Sequence, residues 1–246
     1  MSKLIVQNVS KQFGGLRALN DVSFETESEI LGLIGPNGAG KTTLFNVISG
    51  FLKPTAGKVH YNGQSLHHYH PHRIVELGLA RTFQIVKPFG DLTVLENVLS
   101  GYGMPLYRRP QAFFRWYRTP VTERAADEIL ALTDLTAYRN VAAESLPIGV
   151  QRRLEIARAL ATQPDFLLLD EPAAGLTAHE AEALADLIRT LHAQGKSIIV
   201  IEHNMAFAMS LCQRILVLAQ GELIAQGAPA DIQSNEQVIN VYLGKR

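Results

Sequence analysis

Long apolar segments are missing from this sequence of 246 residues. The longest unbroken apolar runs contain five residues each, at 205–209 and 215–219. A helix that crosses a membrane needs about 20 such residues, so the sequence predicts no membrane span. The opening MSKLIVQNVS also lacks the apolar stretch of a secretory signal, and we therefore expect no cleaved leader.

The sequence also has little cysteine and no net charge. Cys212 is the single cysteine, which excludes an internal disulfide and favours a reducing compartment. The 23 basic side chains are balanced by 23 acidic ones, which argues against a general nucleic-acid binder. Internal repeats and low-complexity segments are absent, and 47% of the residues are hydrophobic. The composition is that of an ordinary globular protein with an ample core.

Short apolar runs alternate with helical patterns along most of the chain. Strands are predicted at 4–9, 22–26, 29–34, 58–61, 166–169, 198–201 and 215–219. Helices are predicted at 42–50, 92–99, 122–132, 150–162 and 177–192, the last starting with a capping box of Thr177 and Glu180. No convincing strand falls between Lys87 and Gln163. The pattern predicts an α/β core interrupted by an all-helical insert.

Residues 35–43 read GPNGAGKTT and match the phosphate-loop pattern G-x-x-x-x-G-K-[ST]. Backbone N–H groups of a glycine-rich turn can wrap a polyphosphate, and the N-terminus of the following helix attracts the same anion. In this motif Lys41 reaches the β- and γ-phosphates, and the Thr42 hydroxyl binds magnesium. The predicted nucleotide-binding residues are Gly35, Pro36, Asn37, Gly38, Ala39, Gly40, Lys41, Thr42 and Thr43.

A second strand-end motif, FLLLDE at 166–171, places two carboxylates after a buried run. Beside a phosphate loop, Asp170 is expected to hold magnesium through water, and Glu171 is expected to polarise the attacking water. The alternative for Glu171 is an ordinary solvated acid at the end of a strand.

With these motifs in this order, the chain resembles the nucleotide-binding subunit of an ABC transporter from residue 4 to residue 244. The resemblance implies that Phe13 stacks on adenine and that His203 senses the γ-phosphate. It also makes Gln84, in RTFQ, the glutamine-loop residue with a role in catalysis and metal binding. Stacking suits any purine, so the choice of ATP rests on the resemblance. Taken alone, Phe13 would be a core or loop aromatic.

The family's signature, LSGGQ, aligns here with Leu146, Pro147, Ile148, Gly149 and Val150. In the family this segment grips the γ-phosphate bound to the opposite subunit. Pro147 lacks both a hydroxyl and an N–H group, whereas Gly149 keeps its amide. We therefore expect a weaker grip from this subunit, and two unequal ATP sites if its partner carries the full signature.

Four strings narrow the resemblance to the branched-chain amino-acid importer type: GLARTFQ, QRRLEIARALAT, LLLDEPAAGL and VYLG. This type implies a P-loop NTPase (RecA-like) core, residues 1–84 and 156–246, with an antiparallel β flank that carries Phe13. An all-helical subdomain would occupy 85–155. ATP and Mg²⁺ are the implied cofactors.

The same resemblance implies an assembly. The expected partners are two transmembrane permease subunits, a second ATPase subunit (a copy or a paralogue) and, indirectly, an extracytoplasmic substrate-binding protein. No nucleic acid is expected. The chain would act at the cytoplasmic face of a bacterial or archaeal membrane, where ATP hydrolysis would power import of branched-chain amino acids or related small amides and acids.

Other functions stay open at this point. A non-transport ABC ATPase acting on ribosomes or DNA usually carries two cassettes or coiled-coil insertions, and a small-molecule kinase would need no signature or switch histidine.

Two segments have alternative interpretations. His67, His68, His70 and His72 could bind a metal or belong to a solvated linker. The segment 101–120, rich in aromatics and arginine, could pack internally, contact a membrane subunit or lipid headgroups, or bind nucleic acid.

Overall fold

The computed structural model describes residues 2–83, 88–103 and 118–243. The strands are β1 (Lys3–Phe13), β2 (Leu16–Glu27), β3 (Ile30–Ile34), β4 (Ala56–Tyr61), β5 (Gln64–Ser65), β6 (Leu79–Arg81), β7 (Phe166–Asp170), β8 (Ser197–Ile201), β9 (Arg214–Ala219) and β10 (Glu222–Gly227). The helices are α1 (Lys41–Ile48), α2 (Pro71–Glu76), α3 (Val94–Gly103), α4 (Pro120–Leu132), α5 (Ile148–Leu160), α6 (Ala178–Ala193), α7 (Met205–Leu211), α8 (Pro229–Ser234) and α9 (Glu236–Leu243).

Two sheets form the core. The first has four strands in the order β2-β1-β4-β5, and its pairings are antiparallel. The second has six strands in the order β10-β9-β3-β8-β7-β6. Its strands from β9 to β6 run parallel, and only β10 is antiparallel to its neighbour. Parallel strands need crossover connections, which the helices between them supply.

The parallel sheet is buried on both faces because successive side chains of a strand point in opposite directions. In β7, Phe166 and Leu168 belong to the apolar cluster shared with α1 and the antiparallel sheet. Leu167 and Leu169 belong to a second cluster, which includes α6 and α7. The continuous apolar runs of the sequence therefore reflect strands covered on both sides.

A third apolar cluster lies in the helical part of the chain and joins α3, α4 and α5. Helix α5 contributes to two clusters, since Leu154 and Ala157 pack in the helical part while Ile156 and Leu160 pack on the sheet. The predicted boundary between residues 155 and 156 falls inside this continuous helix. The division of the chain into core and helical subdomain stays a prediction.

Most predicted elements are present in the structure. The fold class is confirmed, including the antiparallel flank, in which Phe13 is the last residue of β1. The described residues between 88 and 163 contain no strand, and only an isolated bridge joins Thr93 to Ala142. The prediction lacked β5, which has two residues, β6, which has three, and β10, which is half exposed and shows no apolar run. Helices α2, α7, α8 and α9, each with eight residues or fewer, were given no bounds in the prediction.

In the described residues, no helix is both long and apolar enough to cross a membrane.

Candidate active site

The chemically interesting residues follow the ends of four parallel strands. The phosphate loop follows β3, the acidic pair closes β7, His203 follows β8, and Arg81 closes β6. Parallel strands end at the same edge of their sheet, so these groups meet there. Strand β8 lies between β3 and β7, which places His203 between the phosphate loop and the carboxylates.

The phosphate loop packs tightly on its outer side and is open on the other. Gly40 has φ +104°, and a Cβ there would lie 2.5 Å from the Ala18 carbonyl oxygen. No side chain caps the N-terminus of α1, whose first-turn N–H groups lack intrahelical partners. Asn37 and Gly38 are exposed, and a Cβ on Gly38 would meet nothing within 4 Å. This cradle of free amides fits an anion.

Lys41 lies inside the loop, with only 6% of its surface exposed. Its Nζ donates hydrogen bonds to the carbonyl oxygens of Gly35, at 2.7 Å, and Pro36, at 3.1 Å. Burial lowers the pKa of Lys41, and the charges of Glu171 and Asp170 oppose that shift. The ammonium group is thus placed at the loop and linked electrostatically to the acidic pair.

Asp170 is buried at the end of β7 and has one oxygen engaged. Its Oδ2 accepts a hydrogen bond from Arg81 Nη2 at 2.8 Å, whereas Oδ1 is buried without a hydrogen-bond partner among the described residues. Burial raises the pKa of Asp170, and the Arg81 guanidinium opposes this shift. An unpartnered carboxylate oxygen beside a phosphate cradle fits a divalent cation, which prefers oxygen ligands. Thr42, a second predicted ligand, is exposed in the first turn of α1.

Glu171 and His203 face each other across the sheet edge. Glu171 Oε2 lies 3.6 Å from His203 Nδ1, and the imidazole is more than half exposed. Glu171 has φ +49°, a left-handed conformation that is unfavourable for residues other than glycine. Such backbone strain is concentrated at functional sites. The structure thus brings together the predicted water-polarising acid and the predicted γ-phosphate sensor.

Two side chains that support the site were not predicted. Glu202, 1% exposed, precedes His203, and its Oε1 accepts a hydrogen bond from the Ala173 N–H at 3.0 Å. Burial raises the pKa of Glu202. This bond ties the end of β8 to the loop after the acidic pair. Tyr242 in α9 places its buried hydroxyl near the Gly35 backbone, but this hydroxyl makes no hydrogen bond among the described residues. Glu202 directly precedes the predicted His203, and Tyr242 lies in the string VYLG, but nothing local in the sequence reveals their contacts.

Phe13, the predicted adenine platform, is 44% exposed at the end of β1. Its backbone partner is Leu16 at the start of β2, and Ala18 and Leu19 further along β2 contact Gly40 of the phosphate loop. Lys11 Nζ lies 5.0 Å from the centre of the Phe13 ring. An exposed ring on the hairpin beside the phosphate loop suits stacking and fits a core aromatic poorly. Its role stays a prediction.

The signature segment lies at the N-terminus of α5, away from strand ends. Pro147 is the N-cap residue without a side-chain cap, Ile148 is 47% exposed, and Val150 is buried. Gly149 packs so closely on α6 that a Cβ would lie 2.5 Å from Glu180 Oε1. At the start of α5, Pro147 and Ile148 are thus exposed and available to a partner, whereas Gly149 and Val150 are buried. The contact in trans stays a prediction.

Some predictions fall on residues that the structure leaves undescribed. Gln84 lies outside the described residues, as does most of the segment 101–120, which is described only at 101–103 and 118–120. The four clustered histidines are described. His70 stacks on His72 with ring centres 5.9 Å apart, and the described residues contain no group of three or more potential metal ligands.

Comparisons with known proteins agree with this geometry. A family model described as ABC transporter matches residues 19–174. The chain belongs to the ABC transporter ATP-binding family. A second model, described as branched-chain amino acid ATP-binding cassette transporter, matches residues 222–246 of the cassette. The cassette is 43% identical over 251 aligned positions to the high-affinity branched-chain amino acid transport ATP-binding protein LivG of Escherichia coli strain K12, with 98% of both chains covered.

Solved structures show the same fold. The ADP conformation of an ATP-binding cassette from an ABC transporter matches with a TM-score of 0.89 and 31% identity, and both chains are covered completely. A dimeric cassette in a post-hydrolysis state, bound to ADP and phosphate, matches with a TM-score of 0.78 and 27% identity. The match covers 92% of this chain and 98% of the dimeric cassette's chain.

These matches establish what the cassette does. It is a nucleotide-binding ATPase that powers an ABC importer, and the alternative of an ATPase acting on ribosomes or DNA is not favoured. Cassettes of this family act with transmembrane permeases and form dimers.

Proposed function

We propose that this cassette powers the import of branched-chain amino acids, at the cytoplasmic face of a bacterial or archaeal membrane. The match of its C-terminal residues 222–246 to the branched-chain amino acid model carries the substrate assignment, because that model describes one type of transporter rather than cassettes in general. The likeness to LivG supports it over the full length.

The phosphate loop would bind ATP through backbone and charge. The free N–H groups at the start of α1 would accept the phosphates, and Lys41 would exchange its two carbonyl partners for phosphate oxygens. Phe13 would stack on the adenine. Asp170 and the Thr42 hydroxyl would hold magnesium, with Gln84 as a further ligand. A bound magnesium ion supplies positive charge that stabilises charge developing on the phosphates.

Hydrolysis would depend on Glu171 and His203. Glu171 would accept the proton of the attacking water through its carboxylate, and Gln84 would help to place that water. His203, 3.6 Å from Glu171, would donate to the γ-phosphate and hold the glutamate in place. The Glu202–Ala173 hydrogen bond keeps the loop after Glu171 attached to the end of the His203 strand. Cleavage of ATP would thus affect the loop after Glu171 and the end of the His203 strand together.

Two cassettes would sandwich the nucleotides. Residues 147–150 of one subunit would contact the γ-phosphate bound to the other, and two transmembrane permease subunits would convert closure into transport. An extracytoplasmic binding protein would deliver the substrate. Pro147 leaves this subunit's signature with fewer donors, so a paralogue with a complete signature would make the two sites unequal. Support for this arrangement comes from the exposure of Pro147 and Ile148 at the start of α5.

Restoring the signature serine should strengthen the dimer. In Pro147→Ser, a hydroxyl and an N–H group return at the N-cap of α5. A hydrogen bond to a charged group is worth about 1.5–3 kcal/mol, so we expect ATP-driven dimerisation to tighten at least about tenfold. Analytical ultracentrifugation of a Glu171→Gln background with ATP measures this. Pro229→Ser, at the first turn of α8, is the matched control and should change nothing. Unchanged dimerisation in Pro147→Ser would contradict the trans role.

Reconstitution tests the proposed function. The cassette is purified with the membrane subunits encoded beside it, placed in vesicles with a binding protein, and supplied with labelled leucine, isoleucine or valine. We expect ATP-dependent accumulation of these amino acids and release of free phosphate. Uptake of a different solute with none of these three would overturn the substrate assignment while leaving the ATPase assignment intact. Phosphate transfer to a small molecule would overturn both.

A further inference from the structure

Arg81, in β6, has a buried side chain that links several elements of the site. The Arg81 side chain is 6% exposed, and its guanidinium reaches the end of β7 and the helix that follows the phosphate loop. We infer that Arg81 is a positioning residue that holds Asp170 in the orientation required for binding a divalent cation. The inference rests on the proposed nucleotide site.

The Arg81 guanidinium donates hydrogen bonds to two different elements through its two terminal nitrogens. Its Nη2 donates to Asp170 Oδ2 at 2.8 Å. Its Nη1 donates to Asn46 Oδ1 at 2.7 Å and to Ser49 Oγ at 3.0 Å, both in or at the end of α1. Arginine has five donors in a rigid plane, whereas lysine has a single rotatable ammonium group. Only arginine can therefore join the carboxylate to α1 with fixed geometry.

Aromatic rings enclose the same guanidinium. Its central carbon lies 5.5 Å from the ring centre of Phe45, 5.9 Å from that of Phe51 and 5.1 Å from that of Phe83. Phe51 and Phe83 also meet edge to face. Cations are attracted to aromatic faces within about 6 Å, so the rings hold Arg81 in place without competing for its hydrogen-bond donors.

These contacts fix the orientation of the Asp170 carboxylate. With Oδ2 bound to Arg81 and its backbone N–H donating to Thr82 Oγ1 at 3.3 Å, the carboxylate cannot rotate freely. Oδ1 is the oxygen left without a protein partner among the described residues. It is therefore the oxygen presented to a cation or to its bound water. Supporting partners of this kind typically change metal affinity about 10–100-fold when removed.

A different role would be to neutralise a buried carboxylate for stability alone. That role predicts a loss of stability when the positive charge of Arg81 is removed. It predicts no specific effect on cation binding when a substitution keeps that charge. Arg81→Lys separates the two possibilities, since lysine keeps the charge and cannot hold Asp170 and α1 together. Asn46→Ala gives a second test that leaves both members of the ion pair in place.

The experiment measures Mn²⁺ binding to the full chain with ADP, by electron paramagnetic resonance, and ADP binding without metal, by calorimetry. Arg81→Lys should weaken Mn²⁺ binding about tenfold, while metal-free ADP binding and the apo melting temperature stay near those of the native protein. Asn46→Ala should weaken Mn²⁺ binding in the same direction by less. In an Asp170→Asn background, Arg81→Lys should have no further effect. Arg73→Lys, an exposed arginine of α2, is the matched control.

The possible results distinguish a failure of the role of Arg81 from a failure of the proposed metal ligand. Equal weakening by Arg81→Lys with and without Asp170 would overturn the positioning role, as would native Mn²⁺ binding in Arg81→Lys. If Arg81→Lys does not fold, native Mn²⁺ binding in Asn46→Ala overturns it instead. If Asp170→Asn alone leaves Mn²⁺ binding unchanged, the proposed metal ligand is wrong, and that failure is distinct from a failure of Arg81.

Discussion

Replacing Glu171 with glutamine is expected to leave ATP bound and to lower its hydrolysis about 100- to 10,000-fold, the range for losing a general base. Glutamine keeps the size and the hydrogen-bonding shape of glutamate but cannot accept the proton of the attacking water. The left-handed φ of +49° at this position is unchanged by the substitution, since both residues carry a Cβ. Folding should therefore be unaffected. Single-turnover phosphate release and ATP binding, measured in parallel, separate the two effects.

An exposed carboxylate provides the control for this prediction. Glu182 on α6 pairs with Arg189 and is 62% exposed, so Glu182→Gln should hydrolyse ATP at the native rate. Native turnover in Glu171→Gln would identify Glu171 as an ordinary strand-end acid. A loss of ATP binding in that variant would also contradict the assignment, because a base that acts only on water contributes little to nucleotide affinity.

Removing the phosphate-loop lysine should abolish tight nucleotide binding while leaving the fold intact. In Lys41→Ala, the charge-assisted bonds to the phosphates are lost, and each is worth about 1.5–3 kcal/mol. We therefore expect ATP affinity to fall at least about 100-fold. The apo protein loses two hydrogen bonds to the Gly35 and Pro36 carbonyls, but it also no longer buries an ammonium group whose pKa is lowered by that burial. These effects oppose each other, so its melting temperature should change little.

Titration with a fluorescent nucleotide and thermal melting of the apo protein measure the two quantities. Lys58→Ala, in the exposed part of β4, is the control and should bind ATP normally. A large loss of stability in Lys41→Ala without loss of affinity would show that the lysine supports the loop and does not bind phosphate. Native affinity would exclude the phosphate contact altogether.

The phosphate loop, the acidic pair and the capping box of α6 were predictable because their physics is local. A glycine-rich turn before a helix creates an anion cradle within nine residues. Thr177 and Glu180 cap their helix through reciprocal hydrogen bonds three positions apart, as the structure shows. Strands buried on both faces produce continuous apolar runs that stand out in any sequence. The resemblance to the family rests on such strings.

Tertiary structure alone decided how these pieces meet. Arg81 and Asp170 are 89 positions apart, and Glu202 and Ala173 are 29 apart. Their contacts depend on the strand order, which no single strand encodes, because the pairing of parallel strands is established only when the whole sheet assembles. β6 itself, three residues long, becomes a strand only through its pairing with β7. The chain's local patterns thus specify which groups touch the nucleotide, and the assembled sheet specifies which buried partners hold those groups in place.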